Sequence, residues 1–138
     1  MKKYILAIYV FFGINILAHA QVPAYKVVFD MSSKDSVNQL AIVREIGLIT
    51  GASPDAKLEV VIYGQGMDFV VKDRSPQQEA IQKLITGGKA SVKVCAMTMK
   101  RNNIDKSQLI PGVEVVPDGI YEIVSKQQEG WGYIKVGH

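Results

Sequence analysis

The amino-acid sequence predicts an α/β protein, a single three-layer α/β/α sandwich with a five-stranded, mainly parallel sheet. Short, continuously apolar runs alternate along the chain with longer segments of helical period, the pattern of strands buried on both faces and joined by crossover helices. No linker, internal repeat or low-complexity segment breaks this alternation, so all the elements belong to one domain.

The first twenty of the 138 residues stand apart. Lys2 and Lys3 precede an apolar stretch from Tyr4 to Leu17, and Ala18-His19-Ala20 follows, which is the layout of a secretory signal peptide cleaved before Gln21. A membrane anchor is the competing reading. Gly13 and Asn15 break the stretch, however, and it falls short of the roughly 20 residues a span needs. The expectation is a soluble mature domain, residues 21–138, in the periplasm or outside the cell.

Within that domain, Tyr25–Phe29 reads as the first strand. The polar loop Ser32–Ser36 leads into a helix whose inward face is Val37, Leu40, Ala41, Val43 and Ile46, ending near Gly51. Leu58–Tyr63 is the second strand and runs into Gly64-Gln65-Gly66. Met67–Val71 is too short to classify. Ser75 as N-cap, Pro76 at the first helical position and Gln78 three residues past the cap start the next helix, which Gly87-Gly88 stops. Val92–Cys95 is the third strand, followed by a short helix over about 97–103 and a turn between Asp105 and Ile110. Val113–Val116 is the fourth strand. Pro117-Asp118 opens a helix with Ile120, Ile123 and Val124 inward, Gly130 ends it, and Trp131–Val136 is the fifth strand.

Composition removes several function classes. Without Lys2 and Lys3 the formal charge falls from +3 to +1, so no sustained basic surface exists for nucleic acid or for an anionic membrane. The chain has one cysteine and two histidines. An internal disulfide is therefore impossible. His19 leaves with the signal and His138 is the last residue, so a histidine base for a Ser-His-Asp or Cys-His arrangement and the ligands of a histidine-rich zinc site are lacking. No metal and no cofactor are expected.

Cys95 is the first candidate for chemistry, because it ends the third strand where a β-α turn enters a helix, the edge at which sites of open α/β sheets gather. Backbone N–H groups and the helix dipole there favour a thiolate. The competing reading is a small buried residue ending a strand. Ser32 and Ser33 lie in a loop that either binds an anion or only caps the first helix through Asp35 or Ser36. Gly64, Gln65 and Gly66 fall at the same edge as Cys95, as pocket wall or as plain turn. Thr98, Lys100 and Arg101 follow Cys95 directly, either to hold a negatively charged sulfur species or as a solvated helix face. Trp131 and Tyr133 read as subunit interface or as edge-strand packing.

The stretch Val94-Cys95-Ala96-Met97-Thr98-Met99-Lys100, the run Leu109-Ile110-Pro111-Gly112-Val113 with Gly119 shortly after, and the ending Gly130-Trp131-Gly132-Tyr133-Ile134-Lys135 resemble the DsrE-like (DsrE/DsrF/DsrH-type) proteins of sulfur relay, in particular their secreted single-domain branch. The resemblance spans nearly the whole mature chain. It implies the same α/β/α sandwich, assembly as a homo-oligomer, commonly a trimer or hexamer, and a persulfide carried on Cys95 for transfer to a partner protein or small thiol. Two departures stand against full transfer of function: this chain carries an export signal, and Tyr63 stands before Gly64 where a histidine is expected. The functional expectation is a sulfur carrier or sulfurtransferase without a cofactor. The alternative is a non-enzymatic oligomeric binding or structural protein that needs no thiol.

Overall fold

The five apolar runs become five strands. In the computed structural model, which describes residues 24–137, they are β1 (Lys26–Met31), β2 (Lys57–Ile62), β3 (Ser91–Cys95), β4 (Glu114–Val116) and β5 (Gly132–Lys135). Four α-helices connect them: α1 (Ser36–Ala52), α2 (Gln78–Thr86), α3 (Ala96–Arg101) and α4 (Gly119–Gln128). Two 3-10 segments, Gly64–Val70 and Lys106–Gln108, complete the described chain. The expected signal peptide lies outside the described residues.

The strands form one sheet in the order β4-β3-β2-β1-β5, with every neighbouring pair parallel. This is the α/β fold the sequence predicts. Because side chains alternate across a strand, Val27, Phe29, Met31, Val60, Ile62, Val92 and Val94 share one face. There they form the main core with Ile42 and Ile46 of α1, Ile81 of α2 and Met99 of α3. Burying each large aliphatic or aromatic side chain in this core stabilises by about 1.5–3 kcal/mol.

The other face differs. Among the described residues α4 alone covers it, through a small cluster of Val28, Val61 and Ile123 flanked by Tyr63 and Trp131. Asp30, Glu59 and Lys93 also face this side, in register with or next to Val28 and Val61. Strands of a parallel sheet are ordinarily apolar throughout. Here charged residues are placed under a helix, and each has a polar partner.

Helix phases depart from expectation in three places. In α1, Val37 is 71% exposed and Leu40 is exposed too, while Gln39, Ile42, Ile46 and Thr50 are buried. The start of the helix sets this phase: Asp35 accepts from the Val37 N–H (2.8 Å), and Asn38 and Gln39 donate to Ser33 (3.0 and 3.2 Å). In α4, Ile120 and Val124 point outward, and the sheet-facing row is Gly119, Glu122, Ile123 and Lys126. Helix α2 starts at Gln78 rather than at Pro76, because the Gln78 side chain accepts from the Asp73 N–H (2.8 Å) and Ser75 caps only a local turn.

Candidate functional site

Cys95 ends β3, and its extended backbone (φ −71°, ψ 122°) makes it the residue from which α3 starts. The run Ser91–Cys95 pairs with β2 on one side and the edge strand β4 on the other, so Cys95 sits at the sheet's carboxyl edge on an inner strand. Its side chain turns to the face covered by α4 and is 4% exposed.

Four nearby polar groups favour the Cys95 thiolate. Burial pushes its pKa up, but the Gly119 N–H, the Thr98 N–H and hydroxyl and the Met97 N–H together pull harder, and the thiol lies below its ordinary value. Two of the N–H groups come from the first turn of α3. The third comes from the first residue of α4, across the sheet face. Asp118 makes that approach possible by capping α4 with its carboxylate, which accepts from Ile120 (2.9 Å) and Tyr121 (3.3 Å) and leaves the Gly119 N–H to the sulfur. Position 119 also leaves little room for a side chain. A Cβ there would lie 3.2 Å from Cys95 Cβ, 3.3 Å from Val61 Cγ1 and 3.4 Å from Tyr63 Cβ.

Thr98 has a second role. Its hydroxyl accepts from the Gly64 N–H (3.1 Å), so the same oxygen that favours the Cys95 thiolate ties down the loop after β2. Two residues on, Gly66 packs against β1, where a Cβ would run into the Met31 carbonyl. Cys95, Thr98 and Gly64 are thus brought together.

The remaining sequence candidates separate. Ser32, Ser33 and Gln65 line a cleft of about 340 Å³ with Asn38 and Lys135, at the same sheet edge but beyond Tyr63. Ser33 is largely occupied in building α1, accepting from the Asp35 N–H (3.1 Å) and from Asn38. Lys100 and Arg101 occupy the last turn of α3, the end away from the thiol, and are exposed. Lys100 lines a separate cleft of about 410 Å³ with Ile104, Lys106 and Val115.

Between the thiol and the Ser32 cleft lies a polar group that sequence reading missed. Asp30 is 3% exposed, and its Oδ2 accepts from the hydroxyls of Tyr63 (2.9 Å) and Tyr133 (2.7 Å). Burial, then the Asp30 carboxylate, raises the Tyr63 phenol; the hydrogen bond to Asp30, then burial, pushes Tyr133 up to about 12. Within the chain Tyr133 thus bonds Asp30, and Trp131 packs against the small cluster on Val28. Gly119 was visible in sequence only as part of a run, with no sign that it meets Cys95. Asp30 and Tyr133 are 103 residues apart, a separation that leaves no local signal.

Comparison with known proteins places these features in a family. The DsrE/DsrF-like family model matches residues 26–136. Among solved structures, a protein of unknown function, MTH1491 from Methanobacterium thermoautotrophicum, is 30% identical with a TM-score of 0.76, over 80% of this chain and 98% of that one. The ychN protein from E. coli is 14% identical with a TM-score of 0.67, over 81% and 98% of the two chains, and shows the fold alone. The same holds for BT1422 from Bacteroides thetaiotaomicron, 12% identical with a TM-score of 0.61 over 80% and 94%. A search of curated proteins returns no match. With the family model spanning the whole described sheet, this chain belongs to the DsrE/DsrF-like family.

Proposed function

We propose that this chain is an exported sulfur carrier that holds sulfane sulfur as a persulfide on Cys95. The observation that carries the reading is a buried cysteine at the sheet's carboxyl edge, from which α3 starts and against which the first residue of α4 packs, with three backbone N–H groups and one hydroxyl nearby favouring its thiolate. Donors held in place stabilise negative charge at low reorganisation cost. In the first step the Cys95 thiolate attacks the outer sulfur of a small donor such as thiosulfate. The donor's S–S bond breaks, sulfite leaves with the electron pair, and Cys95–S–S⁻ remains. In the second step an acceptor thiolate attacks the terminal sulfur and releases Cys95 as thiolate. The burial of Cys95 restricts the donor to a small anion and requires the first turn of α3 or α4 to yield as it enters.

Export rests on the signal-like residues 1–20 and places the carrier in the periplasm or outside the cell. Assembly as a trimer or hexamer is part of the same reading. Its support is the apolar residues left exposed on α4, among them Tyr121, 72% exposed, and Ile120. The second reading, a non-enzymatic binding protein, is favoured by the 340 Å³ cleft, in which Ser32, Gln65 and Lys135 offer polar groups to a small anion. That activity would survive Cys95→Ser.

The test is intact-mass spectrometry of the mature protein after exposure to thiosulfate or polysulfide, beside Cys95→Ser. One added sulfur, lost in the variant and released by a small thiol, is the expected result. A wild-type mass that stays unmodified removes the carrier reading.

A further inference from the structure

On the face that α4 covers, two contacts tie that helix to β3, and they are built from adjacent positions. Gly119 meets Cys95. One helical turn on, Glu122 Oε1 lies 2.7 Å from Lys93 Nζ. Lys93 precedes Cys95 by two residues, about 6.6 Å along a strand, and Glu122 follows Gly119 by three, about 4.5 Å along a helix. Movement of Glu122 relative to Lys93 is therefore movement of the Gly119 N–H relative to the sulfur.

Among the described residues the other fixings of α4 are the Asp118 cap, Lys126 over the Trp131 ring (5.0 Å) and a small apolar contact. Ile123 is its one buried apolar side chain, set on Val28 and Val61. Lys126 adds a looser link, 3.9 Å from Glu122 and 3.4 Å from Glu129, near the far end of the helix. Lys93 itself is held from beneath. Glu59 Oε2 on β2 lies 3.0 Å from its Nζ and also accepts from Ser91 Oγ at 3.2 Å, while Glu59 Oε1 is buried without a hydrogen-bond partner. The lysine thus has one carboxylate rooted in the sheet and a second one brought by the helix.

We propose that the Lys93–Glu122 pair is a positioning device for Cys95: it sets the docking of α4 on the sheet and so holds the Gly119 N–H on the sulfur. The proposal rests on the sulfur-carrier reading for its purpose, but its physical content is the state of the thiol. Removing Glu122 tests it cleanly, because Lys93 keeps Glu59 as partner and no buried cation is left alone.

The direction of the effect separates positioning from charge. Deleting a carboxylate near the thiol would, by field alone, favour the thiolate and lower its titration midpoint. Loss of the Gly119 donor raises it. The experiment is thiol alkylation rate against pH for the wild type, Glu122→Ala, Glu122→Gln and Glu129→Ala, with circular dichroism to establish folding. Glu129 is an exposed carboxylate at the C-cap of the same helix, paired among the described residues to Lys126 alone. The expected result is a midpoint raised by about one unit in Glu122→Ala, hence roughly tenfold slower alkylation at pH 7. Glu122→Gln, which can still accept from Lys93, falls between, and Glu129→Ala matches the wild type. A folded Glu122→Ala or Glu122→Gln whose midpoint stays in place or falls overturns the proposal. Sulfur loading, read by mass on the same samples, keeps the two ideas apart. A wild type that takes up no sulfur while Glu122→Ala still raises the midpoint defeats the carrier reading and leaves the positioning device standing. Equal loading and equal midpoints in both proteins defeat the device alone.

Discussion

Thr98 shows how much one side chain does at this site. Its hydroxyl accepts from the Gly64 N–H and is one of the polar groups that favour the Cys95 thiolate, so a single oxygen links the loop after β2 to the end of β3. Thr98→Val keeps the shape and removes the hydroxyl from both the Gly64 N–H and the thiol's surroundings. The Gly64 N–H then loses its partner, at a cost of about 1–3 kcal/mol in unfolding free energy. The thiol midpoint should rise as well, because one of the four groups favouring the thiolate is gone. The sign of the pH effect follows from linkage. With the native thiol pKa below its unfolded value, the wild type gains stability as pH rises from the native value towards the unfolded one, and loses it as pH falls through the native value. Thr98→Val should show a smaller gain over that window, measured by urea unfolding at a series of pH values. Equal pH profiles for the two proteins would contradict the hydroxyl's role.

At the scale of elements, the site exists because two helices begin at one sulfur. Helix α3 starts from Cys95 itself, and α4 starts from Gly119 after the Asp118 cap. A side chain at 119 would press on Cys95, Val61 and Tyr63 at once, each within 3.2–3.4 Å of its Cβ. Gly119→Ala should therefore cost about 1–3 kcal/mol of stability. It should also lift the start of α4 off the sheet and raise the Cys95 midpoint, read by alkylation and by thermal unfolding. Retention of the wild-type midpoint would mean that the Gly119 N–H does not act on the thiol. The same close fit explains the phase of α4. With Gly119, Glu122 and Ile123 committed to the sheet, Ile120 and Val124 have no inward place.

Across the whole molecule the two faces of the sheet are unequal. One carries a continuous apolar core under three helices, and the other a small cluster, two polar networks and one helix. The outward side of that helix keeps Ile120, Tyr121 and Val124 exposed. If these cover one another in an oligomer, native mass spectrometry of the mature protein should show a trimer or hexamer. The pair Ile120→Ser and Tyr121→Lys should then shift it towards a monomer of unchanged circular dichroism. A monomeric wild type would refute that assembly.

The sequence by itself determined the fold class, the succession of strands along the chain with their approximate bounds, and the DsrE-like family that the family match bears out, because apolar runs and turn residues are local signals read within a few residues. Cys95 was legible as a candidate for the same reason: it closes a strand and opens a helix. Helix phase was less legible. In α1 and α4 more apolar residues fit a helical stripe than the sheet has room for, and caps and ion pairs chose among them. Only tertiary structure decided what surrounds the sulfur. Gly119 lies 24 residues beyond Cys95 in the chain, and it reaches the thiol because parallel strands carry the starts of successive helices to one sheet edge. The same topology sent Lys100 and Arg101 to the far end of α3 and drew Asp30, Tyr63 and Tyr133 together, since contacts between distant segments are set by strand order and register.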